Sequence, residues 1–169
     1  FQEDEPVTRL RILRKGWAMR SVRLDDERRQ ILDFVLPGDV VGLHVDGQNR
    51  SLADIQALTA CEIGEVDSDA LHRLARRSSS FALGLNRHLT RELARASDHA
   101  MRLGRMTAYE RVCSFLLDIY RRQRVHSPLG ASVDFPITQT VVADALGLSV
   151  VHVNRQVMQL RREGLVSMN

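Results

Sequence analysis

The chain is short of several residue types, and each shortage removes a class of protein. It has two cysteines, Cys61 and Cys113, far apart in 169 residues. They cannot build a disulfide framework, a CxxC zinc site or a cysteine-ligated iron–sulfur cluster. They read as two small buried core residues in a reducing cytoplasm. Aromatic residues are 5% of the chain, so aliphatic side chains must fill most of the core. No apolar run approaches the roughly 18 residues of a membrane span, and no membrane partner is expected. The opening FQEDEPVTRLR has neither an apolar leader nor an initiator Met, and reads as a start cut short upstream. Lysine occurs once, at Lys15; every other basic residue is Arg.

What remains is 44% hydrophobic and 27% charged, the balance of a folded protein with one medium domain or two small ones. The charge is uneven. Residues 1–103 carry 16 basic and 16 acidic side chains; residues 104–169 carry 8 and 5, so the whole excess of +3 lies in the last third. That excess alone is weak support for a polyanionic partner.

The first part reads as strands. Val7 to Leu13 alternates, with Leu10 and Ile12 opposite Arg9 and Arg11. Trp17 to Leu24 and Gln30 to Leu36 form a hairpin around Asp25-Asp26-Glu27. Turns follow at Pro37-Gly38-Asp39 and at Val45 to Asn49, then short strands at Leu52 to Leu58 and Cys61 to Val66. Short strands at this spacing predict a sandwich or barrel.

The period changes after Asp67. A short helix is expected over Asp69 to Arg77, with Leu71 and Leu74 inward, and Ser78 to Ser80 can cap the next. Leu85, Leu89, Leu93, Ala96, Ala100 and Leu103 then recur at three- and four-residue spacing, one narrow apolar stripe on a long helix. Such a stripe packs on its own domain, on a second copy of the chain, or on both. Leu103 to Thr107 interrupts it. Thr107-Ala-Tyr-Glu110 has the form of a capping box, and Val112, Phe115, Leu116, Ile119 and Tyr120 mark the core face of a further helix. His126 to Asp134 reads as a loop.

Residues 136–166 carry the most information. Thr138 can cap a short helix with Val142, Ala145 and Leu146 inward. Gly147 can end it in a left-handed conformation that only glycine adopts cheaply. Ser149 can cap a second helix with Val153, Val157 and Leu160 inward. Gly164 stops that one, and Leu165-Val166 reads as the start of a β-wing. Two helices joined by a three-residue turn through glycine make a helix-turn-helix. Small Ala143 lets the helices approach. The outward face of the second helix carries Val150, Val151, His152, Asn154 and Arg155. Arg reads guanine bidentately, Asn reads adenine, and Val touches a thymine methyl. Thr138, Gln139, Thr140 and Ser149 stand at helix starts, where side chains and amides meet phosphate. As a pattern alone, the stretch also fits a helical hairpin in a core.

Four motifs in order resemble the Crp/Fnr family of bacterial transcription regulators: GWAMR from Gly16, RQILDFVLPGDVVGL from Arg29, LGRMTAYERVCSFLL from Leu103 and LGLSVVHVNR from Leu146. The resemblance implies an α+β fold. A cyclic-nucleotide-binding-like β-roll (cupin-like jelly roll), truncated at its N-terminus, would span 1–77, and a dimerisation helix would span 78–105. A C-terminal winged helix-turn-helix domain, its wing incomplete, would span 106–169. It further implies a homodimer reading two-fold-related half-sites on double-stranded DNA, with RNA polymerase as a second partner. Leu85, Leu89, Leu93, Ala96, Ala100 and Leu103 would form the dimer interface. Relatives place an Arg at the position of Arg155 on guanine, a Ser or Thr at that of Ser149 on phosphate, and residues matching Thr138, Gln139 and Thr140 on the backbone. Relatives often have Glu where this chain has Val151, and cyclic-AMP-responsive members have Arg at Val150, so their operators do not transfer.

The effector is not named by the sequence. Cyclic-AMP binders use a Gly-Glu turn and an Arg-Ser pair; here Gly38-Asp39 and Arg50-Ser51 stand roughly there, at a different spacing. A cyclic nucleotide is an option but not the favoured one, and two unclustered cysteines give no iron–sulfur sensor. Single histidines, His44, His72, His88 and His99, are candidate haem ligands that read more simply as surface or core. Two rival functions remain. One is a ligand-binding interaction module without DNA binding. The other is a cupin-type metalloenzyme, for which His44 lacks a clustered partner. The preferred reading is not an enzyme.

Overall fold

The computed structural model describes residues 2–43, 48–124 and 135–167. His44, most of the Val45–Asn49 turn and the loop expected over His126–Asp134 lie outside the described residues. The chain divides into two compact units, Phe1–Asp98 and His99–Asn169.

Among the described residues, the first unit holds six strands, a short helix and the first part of a longer one. The strands and the short helix are β1 (Arg9–Lys15), β2 (Ala18–Arg23), β3 (Arg29–Val35), β4 (Val40–Val41), β5 (Asp54–Ala57), β6 (Glu62–Asp67) and α1 (Ser68–Arg77). Two three-stranded antiparallel sheets form, in the orders β4-β1-β6 and β3-β2-β5. Leu13, Ala18, Val35 and Val41 make a buried cluster on which Ile55 and Cys61 pack. The β1-to-β2 corner needs Gly16. Its φ is 89°, and a Cβ there would stand 2.3 Å from the carbonyl oxygen of Ala60. Trp17 meets Phe34 edge-on across the β2–β3 ladder, with ring centroids 6.3 Å apart.

The expected burial of α1 is not found. Leu71 is half-buried and Leu74 is 47% exposed, so α1 buries no side chain fully. The cysteines also differ from expectation: Cys61 and Cys113 are both only half-buried thiols. Ser78 caps the next helix as expected, its hydroxyl accepting from the Phe81 amide at 3.2 Å.

That helix is α2 (Ser79–Arg105), and the boundary between the units falls within it. The second unit continues with α3 (Ala108–Arg124), α4 (Gln139–Leu146) and α5 (Val150–Arg162). The capping box before α3 forms in both directions. The Thr107 amide donates to the Glu110 carboxylate at 2.8 Å, and the Glu110 amide donates to the Thr107 hydroxyl at 3.4 Å. The Thr107 amide first, then the Thr107 hydroxyl, both donating to that carboxylate, hold the Glu110 carboxyl below its ordinary range. Val112, Phe115 and Ile119 of α3 are buried with Val142, Ala143, Ala145 and Leu146 of α4 and Val153 and Leu160 of α5. Val153 and Leu160 are buried on α5 as expected; between them Gln156 is buried and Val157 only half-buried. Leu165 and Val166 are not in a strand. The Leu165 amide instead closes the end of α5 on the Leu160 carbonyl at 3.0 Å.

Candidate nucleic-acid interface and sensor interior

Three residues, Gly147 to Ser149, separate α4 from α5. Gly147 takes φ 60° and ψ 40°, and the Leu148 amide reaches back to the Ala143 carbonyl at 3.1 Å, which satisfies the end of α4. Thr138 and Ser149 cap the two helices; their hydroxyls accept from the Val141 and His152 amides, each at 3.3 Å. Ala143 and Val153 are both buried, as a close helix crossing requires.

The same turn sets what α5 shows outward. Val150, Val151, His152, Asn154 and Arg155 are all exposed, Val151 at 76%. Thr138, Thr140 and Ser149 are exposed beside them, and Gln139 is half-buried. Arg155 has no hydrogen-bond or ion-pair partner among the described residues, so its five N–H donors face solvent. Asn154 is held differently: its amide nitrogen donates to the Gln139 side-chain oxygen at 3.1 Å.

Arg111 was not singled out by sequence reasoning, and its role here is large. From α3 it donates to three carbonyls: Nε to Met106 at 2.9 Å, Nη1 to Leu146 at 3.0 Å and Nη2 to Leu103 at 2.7 Å. One guanidinium thereby ties the end of α2, the bend before α3 and the end of α4. A second tie joins the start of α3 to the end of α5. The Tyr109 hydroxyl donates to the Glu163 carboxylate, which also accepts from Gln159 at 2.9 Å. The tyrosine bond, then the glutamine bond, lowers the Glu163 pKa, and the same carboxylate raises that of Tyr109.

The interior of the β-roll is polar where α2 closes it. In the ladder Arg20 faces Asp33 as Ala18 faces Val35, so Arg20 lies on the face that carries the apolar core. Its guanidinium stands 3.4 Å from Glu92 of α2, with both side chains 7% exposed. Arg95, one turn along α2, pairs with Glu92 and lies 3.5 Å from Asp33 and 3.7 Å from Asp39. The signal for this cluster was present in the sequence. Phe81, Leu85, His88, Glu92 and Arg95 repeat at helical spacing beside the apolar stripe, and buried Glu92 marks that row as inward. The other row is Leu89, Leu93, Ala96 and Ala100, all exposed on the single chain, Leu93 at 69%. Leu85 and Leu103 are half-buried.

The described residues expected to meet a cyclic nucleotide are engaged with the chain itself. Asp39 accepts from the Leu36 amide at 2.8 Å and lies 3.7 Å from Arg95. Arg50 is exposed and donates to the Asp4 carbonyl at 2.7 Å. Ser51 is buried and donates to the Ala53 carbonyl at 2.7 Å. Gly38 serves the turn, its amide donating to the Leu13 carbonyl at 2.8 Å.

Comparison with known proteins agrees with both halves. The model of the Crp-like helix-turn-helix domain matches residues 110–169, and that of the cyclic nucleotide-binding domain matches residues 1–78. The chain is 34% identical to the nitrogen fixation regulation protein FixK of Bradyrhizobium diazoefficiens over 170 residues, 99% of this chain and 70% of that protein. It is 33% identical to the transcriptional activatory protein AadR of Rhodopseudomonas palustris over 167 residues, 98% of this chain and 69% of that one. Among solved structures, FixK2 from Bradyrhizobium japonicum superposes with a TM-score of 0.89 at 33% identity, covering 100% of this chain and 82% of the other. With a sensor-type roll ahead of a capped helix-turn-helix, and this identity along almost its whole length, the chain belongs to the Crp/Fnr family of transcription regulators.

Proposed function

We propose that the chain acts as a homodimer on two-fold-related DNA half-sites and reads bases with α5 in the major groove. The observation that carries this reading is the row of exposed side chains on α5, Val150, Val151, His152, Asn154 and Arg155, presented by a helix whose opposite face is buried. Arg155, without a partner among the described residues, is suited to guanine O6 and N7; Val150 and Val151 suit thymine methyl groups. Thr138, Gln139, Thr140 and Ser149 at the helix starts would hold the phosphate backbone. The exposed Leu89, Leu93, Ala96 and Ala100 of α2, with the half-buried Leu85 and Leu103 at its ends, form the pairing surface, so half-sites would lie about 34 Å apart. The domains would be a roll over 1–77, a pairing helix over 78–105 and a DNA-binding domain over 106–169.

The relatives named above are regulators, which supports a non-catalytic role with RNA polymerase as second partner and the cytoplasm as location. No helix of the described residues is long and apolar enough to cross a membrane. The direct test is selection of duplexes from a random pool by the purified protein, followed by gel shift. Enrichment of a two-fold-symmetric sequence is the expected result. Salt-insensitive or absent binding to every duplex would leave the interaction-module reading standing.

A further inference from the structure

We infer that Gln139 is a positioning residue for base recognition: it fixes the amide plane of Asn154, and Asn154 is the adenine reader of α5. This inference rests on the DNA-binding reading above. Gln139 is the first residue of α4 and Asn154 the fifth of α5, 15 positions apart along the chain. Thr138 and Ser149 each spend their hydroxyl on their own helix. The amide bond from Asn154 to Gln139 is instead a direct side-chain link across the outer surface of the two helices.

An asparagine amide has two N–H donors and one acceptor oxygen. The bond to Gln139 takes one donor. The other donor and the oxygen have no partner among the described residues, and these are the two functions that adenine N7 and N6 require. An unbound asparagine on a helix surface samples several orientations, and binding must then freeze one. Here the choice is already made in the free protein. The half-buried Gln139 is the better fixed of the two partners, and its oxygen defines which way the exposed Asn154 turns. Gln139 therefore acts on the bases through Asn154, a role distinct from the backbone contact that its place at a helix start implies.

The test uses duplexes enriched from a random pool by the unaltered full chain, with competition binding for all four bases at each position. Asn154→Ala should flatten the preference at one A·T position in each half-site. Gln139→Met keeps the length of the side chain and removes the acceptor. It should weaken preference at that same position by about two- to tenfold and leave the other positions unchanged. Gln139→Glu keeps the acceptor oxygen, so preference at that position should return, while affinity for every duplex falls because a negative charge now sits near phosphate. A uniform loss of affinity in Gln139→Met with all base preferences intact would overturn the inference and make Gln139 a backbone contact. Retention of every base preference in Asn154→Ala would overturn it as well. Failure of the unaltered chain to enrich any duplex would instead bring down the DNA-binding reading beneath it.

Discussion

At the scale of single residues, side chains exposed on α5 and side chains buried beneath it make separable demands. Arg155 is exposed and holds nothing else in place. Arg155→Ala should therefore leave thermal stability unchanged and cost about 1–3 kcal/mol of operator binding, with relaxed choice at one base pair. Gel-shift affinity beside a melting curve checks both halves of that statement. Arg111 is the converse case. Its guanidinium satisfies three carbonyls, and Arg111→Met strands them. The loss should be about 1.5–3 kcal/mol of stability, read from the urea midpoint of the full chain, with weaker DNA binding as a consequence. The residues that sequence could show were those with a local grammar. Thr107 with Glu110, Thr138, Gly147 and Ser149 act within a few residues of themselves, and spacing reveals them. Arg111 acts on Leu103 and Leu146, and nothing in its own neighbourhood distinguishes it from the other arginines.

At the scale of elements, α2 carries two rows with opposite chemistry. The apolar row was visible because leucine and alanine repeat at helical spacing. The charged row was overlooked because Glu92 and Arg95 look like solvated residues until Arg20, Asp33 and Asp39 are placed opposite them. Burial of charge on that scale is tolerated only with close partners. Glu92→Ala removes the buried carboxylate that Arg20 and Arg95 both approach and should destabilise the roll by about 3–5 kcal/mol, measured by denaturant unfolding. His88 sits on the same row. Burial first, then the positive charge of Arg95, holds its pKa below the ordinary histidine value, with Asp39 pulling the other way. The unfolded chain takes up that proton more readily. The contribution of neutral His88 is thus fully present above about pH 6.5 and is lost as pH falls through the depressed folded value. His88→Gln should flatten the fall in the urea midpoint between about pH 7.5 and 5.5.

For the whole molecule, fold class was legible because strand and helix periods occupy separate halves of the chain. The inward set of α1 was not: Leu74 shows the correct spacing and still faces solvent. An amphipathic pattern says which face is apolar and is silent about what covers it. The same holds for Leu89 and Leu93, and here the expectation is quantitative. The proposed pairing of two copies would bury each leucine at about 1.5–3 kcal/mol, so Leu93→Glu should convert a dimer to a monomer in sedimentation and abolish binding to paired half-sites. Wild-type sedimentation as a monomer at micromolar concentration would contradict the pairing surface itself.

The triple grip of Arg111 has a mechanical meaning. A bend between two helices ordinarily works as a soft joint that swallows small rotations. Here the last turn of α2, the bend and the foot of α4 are pinned to one flat cation. In the proposed reading, a twist of this last turn would reach the foot of α4 through that cation, and α5 beyond it is, at 13 residues, a lever about 20 Å long. On a lever of about 20 Å, a swing of about 5° displaces the tip by about 1.7 Å, enough to separate a base edge from the side chain reaching for it.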